Sequence, residues 1–270
     1  MPPIHAIKRF LQAGERSAPS ALSVRTLSRR YAGRLALENV DLDVQNHESF
    51  GLVGENGAGK TTLIKCALDL CLPSAGTIEI YGRSARNPEA RRALAYHPER
   101  FVPPHYLLGR EFLETTAAVC GDPYRPRTVE HLLGELGLDP GSLSRPVRQY
   151  SKGMMQKVGL IACFMLDRQM YVLDEPMSGL DPGSRVAVKS ILKRLNDSGR
   201  TIFFTSHVLA DVEEICSGIA IVHRGRIRFR GSPEELRNVH GEANLERAFL
   251  KCIRSENQSS RFPDDEQPRP

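Results

Sequence analysis

With 270 residues, 40% of them apolar and 26% charged, the chain can bury a sizeable core, as one large α/β domain with appendages or as two small domains. Its net charge of +5 is scattered rather than blocked, which suits an anionic ligand or surface and singles out no nucleic-acid partner. The longest apolar run, Val158 to Leu166, is far too short to span a bilayer, and the start has no continuous apolar signal segment, so a chain that itself crosses a membrane is not expected.

Met1 to Ser20 is an extension in which Ile4, Ile7, Phe10 and Leu11 share a helical face beside Lys8 and Arg9; it reads either as a frayed segment or as a short interfacial helix. Leu22 to Leu27 and Leu37 to Val44 alternate apolar and polar, as half-exposed antiparallel strands do, with a turn near Ala32 and Gly33 and Tyr31 beside it. Phe50, Leu52 and Val53 then lead into GENGAGKTT, Gly54 to Thr62. The spacing G-x-x-x-x-G-K-[ST] falls on Gly54, Gly59, Lys60 and Thr61, and the strand, glycine turn and helix around it are the setting of a phosphate-binding loop. Glycines let backbone N–H groups point at polyphosphate, and the helix that follows adds its positive end. The loop from Gly54 through Glu55, Asn56, Gly57, Ala58 and Gly59 to Thr62 is thus expected to cradle phosphates, Lys60 to reach the β- and γ-phosphates, and Thr61 to hold Mg²⁺.

Lys60 to Cys71 is apolar at helical spacing and stops at Leu72-Pro73; Thr77 to Tyr81 reads as a strand, and Glu99 falls in a proline-punctuated loop. Two helices are expected between Tyr106 and Leu138, forming a lobe of their own, and a third begins near Ser151 and Gly153. A buried strand, Met170 to Leu173, ends in Asp174 and Glu175; carboxylates at the carboxyl end of a strand beside a phosphate loop suit metal holding and water activation. Ser178 to Asp181 turns the chain into a helix ending at Ser198-Gly199, TIFFTS is another buried strand, and His207 stands at its end. A hairpin over Arg224-Gly225 and short helices from Pro233 to Arg254 close the pattern, and Ser255 to Pro270, almost without apolar residues, is expected to be disordered. The six cysteines lie in or beside apolar stretches without a C-x-x-C pair, which reads as reduced core thiols of a cytosolic protein.

In this order the pieces resemble the nucleotide-binding subunit of ATP-binding cassette (ABC) transporters, over roughly Leu22 to Gly231. Tyr31 matches the aromatic that stacks on adenine, YHPE the loop that contacts metal and signals to the membrane subunit, YSKGM the family signature, VLDEP the carboxylate strand, SGLD a dimer-contact loop and His207 the switch histidine. The resemblance implies a P-loop NTPase core with a mainly parallel sheet, an N-terminal antiparallel β subdomain and an inserted helical subdomain at about 101–165, in an ATPase domain at 21–240 between an extension (1–20) and a C-terminal helix and tail (241–270). It also implies ATP and Mg²⁺ as ligands and a head-to-tail homodimer in which Ser151 and Gly153 of one copy face the γ-phosphate held by the other. Glu175 would polarise water, His207 and Lys60 would steady the γ-phosphate, and Thr61, Glu99 and Asp174 would serve the metal.

Glutamate at position 99, where the family usually has glutamine, and Lys152 in place of a glycine resemble bacterial cassette proteins paired with a separate polytopic ABC-2-type permease, commonly an exporter. That implies a cytoplasmic chain, peripheral on the inner face of the cell membrane. The alternatives are a soluble cassette ATPase that acts on nucleic acid or ribosomes, which usually carries two cassettes or a long coiled coil, and a small-molecule kinase, which leaves the signature and His207 unexplained.

Overall fold

The computed structural model describes residues 20–259, with side chains through residue 254; the apolar face at Ile4 to Leu11 lies outside the described residues. β1 (Leu22–Tyr31) and β2 (Arg34–Val44) pair antiparallel, with Leu22 opposite Val44 and Tyr31 opposite Arg34. Ala32 and Gly33, at φ 42° and 86°, supply the two left-handed residues that a tight hairpin turn requires. β3 (Ser49–Val53) feeds the glycine loop and α1 (Lys60–Ala67), after which β4 (Ala75–Ile80) and β5 (Arg83–Ser84) complete an antiparallel sheet of order β2-β1-β4-β5.

α2 (Pro88–Arg91) and β6 (Leu94–His97) precede the helical insertion of α3 (Gly109–Val119), α4 (Pro126–Glu135) and α5 (Lys152–Phe164). The remaining elements are β7 (Met170–Asp174), α6 (Pro182–Asp197), β8 (Thr201–Ser206), α7 (Leu209–Ile215), β9 (Gly218–His223), β10 (Arg226–Gly231), α8 (Pro233–His240) and α9 (Leu245–Ser259). β9, β3, β8, β7 and β6 lie side by side and parallel, and β10 pairs antiparallel on the β9 edge.

Period-two alternation divides this second sheet between two cores. Phe50, Leu52, Val172, Phe203 and Val222 face α1 and the antiparallel sheet. Leu173, Ile202, Phe204, Ile219 and Ile221 face the opposite way, into one cluster with Leu113, Leu133 and Ile161 of the insertion. The insertion therefore shares one continuous core with the sheet. α5 is the reason: it is apolar on nearly every side from Val158 onward, so it must be covered both by α3 and α4 and by the sheet. Leu245, Ala248, Cys252 and Ile253 of α9 join the same cluster.

Gly159 sets how closely α5 approaches β6. A Cβ there would stand 2.7 Å from the Phe101 ring and 2.9 Å from His97, and Phe101 is itself packed edge-on against Phe112 at 5.6 Å between centroids. Alanine gains about 1 kcal/mol of helix propensity over glycine, but displacing packed rings costs about 1–3 kcal/mol. Gly159→Ala is thus expected to destabilise the fold in urea unfolding despite the better helix former, and a variant more stable than the parent would show that the rings yield freely.

Other elements depart from the sequence pattern. α1 ends at Ala67 rather than near Cys71, because Asp69 turns left-handed (φ 58°) and leaves Leu70 and Leu72 exposed. β6 and α7 were not marked by their residues, being only four and seven residues long. The α9 backbone stays helical to Ser259, into the stretch expected to be disordered: an absence of apolar residues reports that nothing there can be buried, not that the backbone leaves the helix. Among the cysteines, Cys120 is exposed at the end of α3 and Cys71 is half-buried, so neither is the core thiol expected.

Candidate active site

Because β3, β8 and β7 are adjacent and parallel, the loops after all three emerge on one edge of the sheet, where ligands of such folds bind. The loop after β3 is shaped by close approach. A Cβ on Gly54 would lie 2.3 Å from the Val222 carbonyl oxygen, and Gly59 adopts φ 117° with no room beside Ala36. Gly57, at φ 81°, has nothing within 4 Å of where its Cβ would be, so the loop presents bare backbone on that side. The β9–β10 turn clamps the other side: the Gly225 N–H donates to Ala58 at 2.9 Å, and the Gly225 carbonyl accepts from the Glu38 N–H at 2.8 Å. α1 begins at Gly59 with no side-chain cap, leaving its first-turn amides toward the loop.

Within the loop, Lys60 folds back so that Nζ donates to the carbonyls of Gly54 (2.7 Å) and Glu55 (3.3 Å), and it stands 3.4 Å from Glu175 Oε1. Both side chains are over nine-tenths buried. The second oxygen of Glu175 lies 2.8 Å from His207 Nδ1, and His207 is itself half-exposed. Glu175 adopts φ 49°, a left-handed conformation that glutamate rarely takes; its N–H is held by Thr205 Oγ1 at 2.9 Å. Thr205 in turn donates to Asp174 Oδ1 at 2.6 Å while Thr61 donates to Asp174 Oδ2 at 2.8 Å. Lys60, Thr61, Asp174, Glu175 and His207, drawn from three separate stretches, thus form one connected polar group.

This group opens on a cleft of about 340 Å³ that Glu99 and Thr62 also line. Sharing Ala36, Glu55, Asn56 and Gly57 with it, a second cleft of about 620 Å³ extends to Tyr31. Tyr31 is 41% exposed, so one face of its ring is available, and the Arg29 guanidinium lies 4.4 Å from its centroid. Its phenol donates to Cys71 Sγ at 3.5 Å, and that hydrogen bond, more than burial, raises its pKa. Arg34 and Arg224 line the same cleft as a cationic rim that no motif marked, beside His223, whose pKa burial pushes down. The oxygens at the smaller cleft, the Thr61 hydroxyl with the Asp174 carboxylate it bonds and the carboxyl groups of Glu99 and Glu175, are the hard donors that Mg²⁺ takes alongside phosphate.

Ser151 and Gly153 are not part of either cleft. Ser151 caps α5, accepting from the Met154 N–H at 3.2 Å, and is exposed. The loop Ser178 to Asp181 is fastened beside it: Gln156 donates to the Pro176 carbonyl at 3.2 Å, and Lys157 pairs with Asp181 at 3.1 Å. Asp181 also caps α6, and hydrogen bonds from the Ser184 hydroxyl and amide, with Lys157 after them, hold its carboxyl far below the usual range.

The "ABC transporter" family description matches residues 37–178, more than half of the chain. An uncharacterized ABC transporter ATP-binding protein of Synechocystis is 39% identical over 74% of this chain, a match that spans only 58% of that relative's length. The ABC-type transporter ATP-binding protein EcsA of Bacillus subtilis is 34% identical over 88% of this chain and 98% of its own. A solved structure described as the ATP-binding subunit of an ABC transporter superposes with a TM-score of 0.79 at 34% identity, covering 86% of this chain and 99% of that one. Phosphate loop, signature and carboxylate strand in one order, on a fold shared with that subunit, place this chain in the ABC transporter family, among its ATP-binding proteins.

Proposed function

We propose that the chain binds and hydrolyses ATP as one half of a head-to-tail pair and so drives a separate membrane-spanning subunit, an exporter. The observation that carries this is the connected group from Lys60 to His207, of which Lys60, Thr61 and Glu175 line the smaller cleft. Tyr31 stacks on the base, and the loop amides from Asn56 to Thr61 receive the phosphates, apart from that of Ala58, which donates to the Glu55 carbonyl at 3.1 Å. Lys60, which here neutralises Glu175, turns to the β- and γ-phosphates. That exchange frees Glu175 Oε1 to accept from a water molecule, while His207 keeps the other oxygen in place. Thr61 and Asp174, with Glu99 alongside, would hold Mg²⁺, which would supply positive charge beside the phosphates.

The position of Ser151 and Gly153 supports a pair of chains: an exposed serine and a half-buried glycine at the start of a helix, away from their own cleft, are placed to meet phosphates held by a second copy. A membrane partner is supported by the segment after Glu99, where Val102 and Tyr106 are 70% and 79% exposed. Export follows from Glu99 and Lys152, which resemble the exporter subgroup. Purified with a tag from gently solubilised native membranes, the chain is expected to bring a polytopic membrane protein in near-equal amount. Recovery from the soluble fraction with ribosomes or nucleic acid instead would overturn the transporter reading and leave ATP hydrolysis standing.

A further inference from the structure

The left-handed turn at Asp69 has a chemical result. It curls the chain back so that the N–H groups of Leu70 and Cys71 both donate to the Lys65 carbonyl, at 2.8 and 3.2 Å, and it sets the sulfurs of Cys66 and Cys71 3.3 Å apart. Cys66 is buried and Cys71 is half-buried. A disulfide bond is about 2 Å long, so the two sulfurs need to close little more than about 1 Å. Cys71 is also the acceptor for the Tyr31 phenol, and Arg29, over the Tyr31 ring, donates to the Leu72 carbonyl at 2.7 Å. Residues 29–31 and 71–72 are therefore fastened at two points behind Tyr31, which lines the larger cleft.

We propose that Cys66 and Cys71 form a redox modification site, a dithiol that hydrogen peroxide closes to a disulfide, and that closure weakens nucleotide binding by withdrawing the Cys71 sulfur from Tyr31. The effect on binding rests on the reading of Tyr31 as the base-stacking residue; the disulfide itself does not. In the first step the Cys71 sulfur attacks one peroxide oxygen, the O–O bond breaks, and sulfenic acid and one water form. In the second, the Cys66 sulfur attacks the Cys71 sulfur, the S–OH bond breaks, and the Cys66 proton leaves with hydroxide as a second water. Two thiols lose two electrons and two protons, and one peroxide becomes two waters. Burial pushes the Cys66 thiol up to about 12, which assigns the first step to the more exposed Cys71. Proximity, rather than thiolate character, then drives the second. The disulfide sulfur is a poorer acceptor, and its displacement loosens the hydrogen bond that orients the ring.

The test uses the full chain, reduced and then exposed to graded hydrogen peroxide, with free thiols alkylated before digestion. The expected result is a peptide holding both cysteines that escapes alkylation and has lost two hydrogens, together with ATP binding about tenfold weaker and restored by dithiothreitol. Cys66→Ser, which leaves the Cys71 sulfur beside Tyr31 but cannot close a disulfide, is expected to bind ATP as the reduced chain does and to give no peptide short of two hydrogens after peroxide. Alkylation of both cysteines after peroxide treatment overturns the site. A closed disulfide with unchanged ATP affinity overturns its coupling to Tyr31. Should the reduced chain bind no ATP, the nucleotide reading itself fails, and the mass of the peptide still decides the dithiol.

Discussion

Glu175→Gln is expected to lower ATP turnover on the order of 10²-fold or more while ATP still binds. The geometry is specific about why. Glu175 is held at three points: its N–H by Thr205, one oxygen by Lys60 and the other by His207. An amide of the same shape keeps the left-handed backbone and a contact to His207, so the pocket survives. What it loses is a carboxylate that can take up proton density from water, and with it the attraction between Glu175 and Lys60. Steady-state phosphate release, measured beside equilibrium binding of ATP, separates the two effects. A variant that hydrolyses ATP at the parental rate would remove Glu175 from the water-activating role.

Lys60→Ala is expected to have the largest effect on stability of any substitution in the site, and to abolish ATP binding as well. Removing one member of a buried ion pair leaves the other without its counter-charge, typically at a cost of about 3–5 kcal/mol. His207 remains beside Glu175, which places the expected loss near the lower end, about 3 kcal/mol. The double variant Lys60→Ala with Glu175→Gln should recover much of that loss, because no carboxylate is then stranded, yet should not recover nucleotide binding. Urea unfolding of the parent, both single variants and the double variant gives the coupling directly. If the lysine variant is as stable as the parent, Glu175 is neutralised by some other route and the pair is not the internal counter-charge described above.

Much of this site could be read from residue spacing because its parts are local. Gly54 to Thr62 fixes a loop within nine residues, and Asp174 with Glu175 marks a strand end wherever that strand is placed. Residues that meet only through the fold were not legible. His223 and Arg224 reach the cleft because β9 pairs with β3, and Arg34 because a two-residue turn brings it opposite Tyr31. Nothing in either local pattern points to a phosphate loop. The meeting of Cys66 with Cys71 depends on one residue, Asp69, leaving the helix where apolar spacing said to continue. The shared core of insertion and sheet was half legible: the run Val158 to Leu166 is apolar on every side, which a helix in a separate lobe has no use for.

The turn between β9 and β10 also limits what lengths of chain the protein can tolerate. Gly225 binds Ala58 on one side and Glu38 on the other, and the Val222 carbonyl fills the space that a side chain on Gly54 would need. A surface hairpin is ordinarily where residues can be added or lost at little cost. Here the same hairpin is a template against which the phosphate loop is moulded, some 170 residues earlier in the chain. One residue inserted between Val222 and Arg226 would change no motif, yet it would shift the mould and reach the nucleotide cleft as surely as a substitution within GENGAGKTT.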